Sequence, residues 1–157
     1  MKNTLSHSPQ HVGKLKEIEL LVAQNELEGA ALALNRLGAV APNDPRIYLL
    51  GSRLAEASGH HKGVLESALK AYEVAPQWPF ASLYVARVLA GRGLSDEGMR
   101  FAKQAVQLAQ RQKSLDLDLL HKAAGIAQSL GLYAQALVWL GQAEQRFGTD
   151  GGICPRQ

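Results

Sequence analysis

Small apolar residues recur three positions apart along the chain, at Ala68 and Ala71 and again at Ala102 and Ala105. Residues at this spacing share one face of an α-helix. A methyl side chain on that face lets two helices approach to the short end of the usual range of about 8–10 Å. The pattern therefore predicts short helices that pack closely against one another.

Capping and breaking residues mark where these helices begin and end. Asp44 is a good N-cap and Pro45 suits the first helical position, so we predict a helix that begins there. It ends at Gly59, because glycine adopts the left-handed backbone conformation most easily. A second helix over about 61–75 is closed by Pro76, which cannot continue it. Helices this short are marginal alone, so the pair must stack on its neighbours.

The same helix pair returns along the chain with a spacing of 34 residues. The pairs of identical residues at this spacing are Pro42 and Pro76, Pro45 and Pro79, Leu49 and Leu83, Arg53 and Arg87, Gly59 and Gly93, and Ala71 and Ala105. A further copy, from Gly131 to Ala143, is shifted by 38, so the segment 111–114 holds about four extra residues. We therefore predict a flexible N-terminus over 1–10, one repeat domain over 11–148, and a flexible tail over 149–157. The units of the repeat domain are 11–44, 45–78, 79–112 and 117–148.

Two residues near the turns carry more specific expectations. Asn25 holds the place of Gly59 in the first unit, where asparagine is the next-best residue for a positive φ. Asn25 is also a candidate cap of the following helix, with Glu28 completing a capping box. Ser95 is predicted to be the N-cap of a later helix.

This pattern of two helices in 34 residues resembles the tetratricopeptide repeat (TPR) family over about 11–148. The residues that carry the resemblance are Ala30, Leu37 and Pro42, then Gly59, Ala71 and Pro76, then Gly93 and Ala105, and finally Gly131, Ala136 and Ala143. The third unit departs from the family pattern at Ser82, Gly98 and Gln110. The resemblance implies an all-α fold, a right-handed α-solenoid of helix–turn–helix (TPR-like) repeats. It also implies that the first helix of each unit lines a concave groove, which binds a peptide or helix of a partner protein.

When the groove of the family is mapped onto this sequence residue by residue, it corresponds to a stripe at positions i, i+3 and i+7 of each first helix. The partner-binding residues that this stripe predicts are Arg46, Leu49, Arg53, Phe80, Leu83, Arg87 and His121, flanked by Val12, Leu15, Glu19, Asp118 and Gly125. Arginines over an apolar floor suit an acidic peptide, because a guanidinium binds a carboxylate bidentately. Alternatively, the arginines only solubilise this face and pair with Glu56 or nearby acids. The stripe lacks the Lys and Asn set with which some TPR domains grip a C-terminal carboxylate, so binding of chaperone tails is not predicted.

The amino-acid composition favours packed helices and excludes several classes of protein. The 157 residues are 46% apolar but only 6% aromatic, so Ala and Leu dominate and favour helices over sheets. A single Cys excludes a disulfide framework and a thiolate zinc cluster. The net charge of +3 is too mild to predict binding of nucleic acid. Neither a secretory signal nor an apolar run of about 20 residues is visible, so we expect a cytoplasmic protein with no membrane partner.

No group of residues has the spacing of a catalytic or metal site. His60 and His61 are adjacent in a turn, where two rings cannot easily chelate one ion. Asp116 and Asp118 open a helix, where carboxylates interact favourably with the helix dipole. Cys154 lies in the predicted tail, and nothing nearby lowers the pKa of its thiol. We therefore expect no enzyme activity, no metal and no cofactor.

The two ends of the predicted array differ. Lys14 and Glu17 give the first helix a flank that suits water, as the end of a solenoid requires. The last helix carries Leu137, Trp139 and Leu140, and no further amphipathic helix follows it. Trp139 on an outer face would indicate self-association through this helix, or a chain that is part of a longer protein. The alternative function is therefore an N-terminal TPR-like segment of a larger enzyme, such as a transferase or a hydroxylase.

Overall fold

The computed structural model describes residues 10–147, and every regular element in that range is an α-helix. The helices are α1 (Val12–Ala23), α2 (Leu27–Val40), α3 (Pro45–Ser58), α4 (His61–Val74), α5 (Pro79–Gly91), α6 (Ser95–Arg111), α7 (Leu117–Ser129) and α8 (Tyr133–Phe147). The predicted all-α repeat fold is confirmed. The predicted flexible tail with Cys154, and all but the last residue of the predicted flexible N-terminus, lie outside the described residues.

The helices form four antiparallel pairs that stack in sequence order. Each first helix (α1, α3, α5) packs on its own second helix and on the first helix of the next pair. Each second helix (α2, α4, α6) also packs on the first helix that follows it along the chain. The backbones of the second helices do not approach one another closely in residues 10–147, and α4 meets α6 through side chains, with the Tyr72 and Phe101 rings 5.3 Å apart and Gln104 donating to the Tyr72 hydroxyl. The first helices therefore form a continuous inner wall, and the second helices form a more loosely packed outer side.

The predicted helix boundaries of the second unit are confirmed. The side chain of Asp44 accepts a hydrogen bond from the backbone N–H of Arg46 at 3.1 Å, and Pro45 is the first helical residue. Gly59 ends α3 with a φ of 82°. The equivalent turns of the other units are also left-handed, at Asn25 (63°), Gly93 (80°) and Gly131 (76°).

Two capping predictions are wrong. Asn25 takes the left-handed conformation at the end of α1, so Glu26 becomes the N-cap of α2, and no side chain caps that helix. The capping box of Asn25 with Glu28 is therefore not formed. Ser95 is the first residue of α6 rather than its N-cap, because the turn at Gly93 leaves Leu94 at the N-cap position.

The extra residues of the third unit lengthen its second helix. Helix α6 has 17 residues, whereas α2 and α4 have 14 each. Gln110 stands where Pro42 and Pro76 follow those helices, so α6 continues to Arg111. It is followed by Lys113 in the left-handed conformation, with a φ of 58°.

Small residues bring the helices of each pair together. Ala68, Ala71, Ala102 and Ala105 are all fully buried. At Gly98 the backbones of α5 and α6 lie so close that an added Cβ atom would be 3.3 Å from the backbone nitrogen of Ala90 on α5. The departure from the TPR pattern at Gly98 therefore coincides with a place that has no room for a side chain.

Trp139 of the last helix is buried. It is only 4% exposed and packs in the same core cluster as residues of α5, α6 and α7, so the condition under which Trp139 would indicate self-association or a longer chain is not met. Leu137 is instead 68% exposed, beside the exposed Tyr133 and Val138. Leu137 corresponds to Met99 in the preceding unit, which is buried in that cluster. Leu137 is exposed because, in the described part of the chain, no further helix pair covers α7 and α8.

None of the helices in the range 10–147 is both long enough and apolar enough to cross a bilayer.

Candidate partner-binding groove

The inner wall contains a groove with a cavity volume of about 980 Å³. Its lining comes from the first helices α1, α3, α5 and α7, together with Trp78 in the turn before α5. No second helix of the described chain contributes a lining residue. The groove therefore runs across consecutive repeats.

Most of the predicted stripe lies in this groove. The stripe residues that line it are Leu15, Glu19, Arg46, Leu49, Arg53, Phe80, Leu83, Arg87 and Gly125. His121 is exposed and lies outside the lining, as do Val12 and Asp118. His121 corresponds to Leu83, which is buried between α5 and the helices after it. Because no described helix follows α7 on the inner wall, the His121 side chain faces solvent instead.

Several lining residues lie outside the predicted stripe, and three of them, Tyr84, Lys122 and Trp78, bear on the chemistry of the groove. Tyr84 lies three residues before Arg87, so helical spacing places both on one face of α5. Lys122 stands 38 residues after Tyr84, which is its equivalent position on α7. Trp78 belongs to a turn, where helical spacing carries no information.

The floor of the groove is apolar. Leu49 and Phe80 are half-buried, and Leu83 is buried. The rings of Trp78 and Phe80 lie with their centroids 6.3 Å apart and their planes tilted by 59°. The ammonium of Lys122 lies 5.8 Å from the centroid of the Phe80 ring, within the range of a cation–π interaction. The groove therefore combines aliphatic and aromatic surface with cationic side chains at its edges.

Arg46 is held firmly by its own chain. Its guanidinium donates to both carboxylate oxygens of Asp44, at 2.9 and 2.6 Å, and to the backbone carbonyl of Gln10 at 3.1 Å. The two side chains are only 16% and 8% exposed. The ion pair fixes Arg46 at the start of α3, and the hydrogen bond to Gln10 ties it to the turn before α1, so Arg46 is part of the wall.

Arg53 and Arg87 are held more loosely. The guanidinium of Arg53 lies 3.6 Å from a carboxylate oxygen of Glu19, and that of Arg87 lies 3.5 Å from Glu56. All four side chains are about half exposed, between 49% and 58%. Each pair joins neighbouring first helices, α1 to α3 and α3 to α5. Exposed pairs of this kind contribute only about 0.2–1 kcal/mol each.

Arg87 also interacts with the aromatic ring beside it. Its guanidinium donates to the hydroxyl of Tyr84 at 3.0 Å, and its central carbon lies 4.7 Å from the centroid of that ring. Partial burial acts to lower the pKa of Arg87, but Tyr84 and Glu56 outweigh it and raise the pKa above its ordinary value. Arg87 therefore stays charged at every pH at which the protein is folded.

The groove is a concave, largely apolar surface with four cationic side chains in its lining. Nowhere in residues 10–147 do three His, Cys, Asp or Glu side chains come together as a metal site requires. No protein-family model matches the chain, and a search of curated proteins finds no match.

Proposed function

We propose that the chain is a TPR-like, non-catalytic protein-interaction module of the cytoplasm, and that it holds a peptide or helix of a partner protein in the groove. One observation carries the proposal: a single concave surface is lined by the first helices of four consecutive helix pairs. Concave apolar surfaces with a few convergent polar groups are the usual sites of ligand and peptide recognition.

The chemistry of the floor supports a protein segment as the occupant. Leu49, Phe80 and Trp78 offer aliphatic and aromatic surface that remains partly open to water. Covering such surface releases about 25 cal/mol for each Å² removed from water. The cationic side chains at the edge would fix the orientation of the segment, because charged groups contribute specificity more than affinity.

The TPR assignment rests on repeated local structure. The turn inside every helix pair has a left-handed residue at the equivalent place, and fully buried alanines recur on the second helices. These are the positions that carry the resemblance to the family.

Site-specific photo-crosslinking in cells of the source organism tests this function. p-Benzoylphenylalanine replaces Leu49 in the groove or, as the matched control, Leu69 on the outer helix α4, which is 40% exposed. We expect a protein adduct from the groove position and none of that mass from the control. Circular dichroism checks that both variants retain the native helix content.

The proposal fails if the same adduct forms from Leu69 and not from Leu49. It fails equally if the groove position yields no protein adduct while the variant is folded.

A further inference from the structure

We infer that the groove takes an acidic peptide, whose carboxylates bind Arg53 and Arg87 by displacing Glu19 and Glu56. The inference rests on the proposed function, since it assumes that the groove is the partner site. It adds the chemistry of the partner and the means of recognition: the chain's own carboxylates hold the two arginines until the partner replaces them.

The three arginines of the groove differ in how tightly their carboxylates hold them. A charge-assisted hydrogen bond between guanidinium and carboxylate is usually about 2.7–2.9 Å long. Arg46 reaches that distance with Asp44, and the pair is largely buried. Arg53 and Arg87 stay at 3.6 and 3.5 Å from their acids, with both partners half exposed. The second kind of pair can open at little cost, because its members are already largely hydrated.

The charges of the groove lining favour an acidic occupant. Four cations line it, Arg46, Arg53, Arg87 and Lys122, whereas Glu19 is the one carboxylate in the lining. Asp44 neutralises Arg46 from within the wall. The other three cations have acids beside them in half-exposed pairs, and Lys122 lies 3.2 Å from Asp118. An acidic segment gains three cations as partners when these pairs open, whereas a basic segment would find Glu19 as the one carboxylate in the lining.

The spacing of the two exchangeable arginines suits one short segment. Arg53 and Arg87 hold equivalent places on neighbouring first helices, and packed helices lie about 8–10 Å apart. Carboxylates three residues apart on a polyproline II segment lie on the same side of it and are separated by about 9 Å, because this helix has three residues per turn. The next equivalent position is Gly125, where an added Cβ atom would meet nothing within 4 Å. The missing side chain leaves room for a peptide to continue past Arg87 across α7.

Fluorescence anisotropy with synthetic peptides tests the inference. The probes are fluorescein-labelled peptides of about 12 residues that share the same leucines and carry Glu at positions three apart. Two further peptides have Gln or Lys in place of every Glu. We expect the Glu peptide to bind at least about tenfold more tightly than the Gln peptide, and the Lys peptide to bind most weakly. Raising NaCl from about 50 to about 500 mM should remove most of the difference between Glu and Gln peptides.

The displacement itself is tested by a gain of affinity, which a misfolded variant cannot produce. The double variant Glu19→Gln/Glu56→Gln frees both arginines and should bind the Glu peptide about two- to tenfold more tightly. Its affinity for the Gln peptide should not change. The matched control is Glu28→Gln/Glu66→Gln on the outer helices α2 and α4, which alters the net charge equally. We expect that control to bind the Glu peptide almost as the native protein does.

Several results would overturn the inference. Equal binding of the Glu and Gln peptides would exclude recognition of carboxylates, and it would leave the groove as an apolar partner site. Equal gains in affinity by the groove variant and the outer control would show that the change in net charge alone causes the effect. Weaker binding by Glu19→Gln/Glu56→Gln would mean that these acids contact the peptide themselves. Absence of binding by every peptide would also refute the inference, while the crosslinking result at Leu49 decides the proposed function separately.

Discussion

Replacement of Gly98 by alanine tests how closely α5 and α6 pack. The added Cβ atom would lie 3.3 Å from the backbone nitrogen of Ala90 and 3.4 Å from the carbonyl oxygen of Ala86. Both neighbours are backbone atoms of a helix, so they cannot move aside as a flexible side chain does. Overpacking of a well-packed site costs about 1–3 kcal/mol. The higher helix propensity of alanine offsets only about 0.5–1 kcal/mol of this cost.

We therefore expect Gly98→Ala to lower the free energy of unfolding by about 1–2 kcal/mol. For a domain of this size each kcal/mol corresponds to a fall in Tm of about 2–4 °C. The matched control is Gly141→Ala in α8, where an added Cβ atom meets nothing within 4 Å. That variant gains the propensity alone and should be more stable by about 0.5–1 kcal/mol.

Urea unfolding followed by circular dichroism measures both variants against the native protein. If both variants are stabilised to the same extent, α5 and α6 lie further apart than the contact between Gly98 and Ala90 requires, and the expected overpacking does not occur.

The remaining predictions concern packing, capping and turn geometry. Ala71→Leu puts a large side chain at a fully buried position and should cost about 1–3 kcal/mol; an unchanged thermal melting curve would contradict the register. Asp44→Ala removes the N-cap of α3 and the partner of a largely buried Arg46, so urea unfolding should detect a loss of about 2–4 kcal/mol. Asp118→Ala removes an exposed pair with Lys122 and an exposed carboxylate from the first turn of α7, and in the same assay its loss should stay below about 1 kcal/mol. Gly59→Ala forces a side chain into a φ of 82° and should lower the unfolding free energy by about 1–2 kcal/mol, which calorimetry can measure.

Much of the fold was predictable because its boundaries are set by local chemistry. Proline fixes its own φ and lacks a backbone N–H, and glycine adopts a positive φ without steric cost, so Pro45 and Gly59 mark the ends of α3 without any tertiary information. The capping of α2 and α6 was not predictable in this way. A capping side chain acts only from a particular backbone conformation, and the left-handed turns at Asn25 and Gly93 shift that position by one residue.

Groove residues could be predicted from the sequence where their position depends on one helix alone. They could not be predicted where it depends on contacts between two elements. Helical spacing put Arg53 and Arg87 on the inner stripe, and both line the groove. Whether an arginine there is tightly or loosely paired depends on acids of other elements, or on a buried cap such as Asp44. Trp139 could have been placed from the repeat, since it stands 38 residues after Phe101, which packs edge-on against Tyr72 inside the array.

The looser packing of the second helices has a mechanical consequence. Along the inner wall the backbone of each first helix lies close to the next, whereas in the described part of the chain no two outer helices have such a backbone contact, and α4 meets α6 through the side chains of Tyr72, Phe101 and Gln104. A small rotation of each pair about the inner wall therefore changes the gaps on the outside far more than the contacts within, and such rotations accumulate along a solenoid. We therefore expect the curvature of the array to change more easily than the packing along its inner wall. A peptide that contacts several first helices would fix this curvature, and the spacing of the outer helices would change with it, at a distance from the groove.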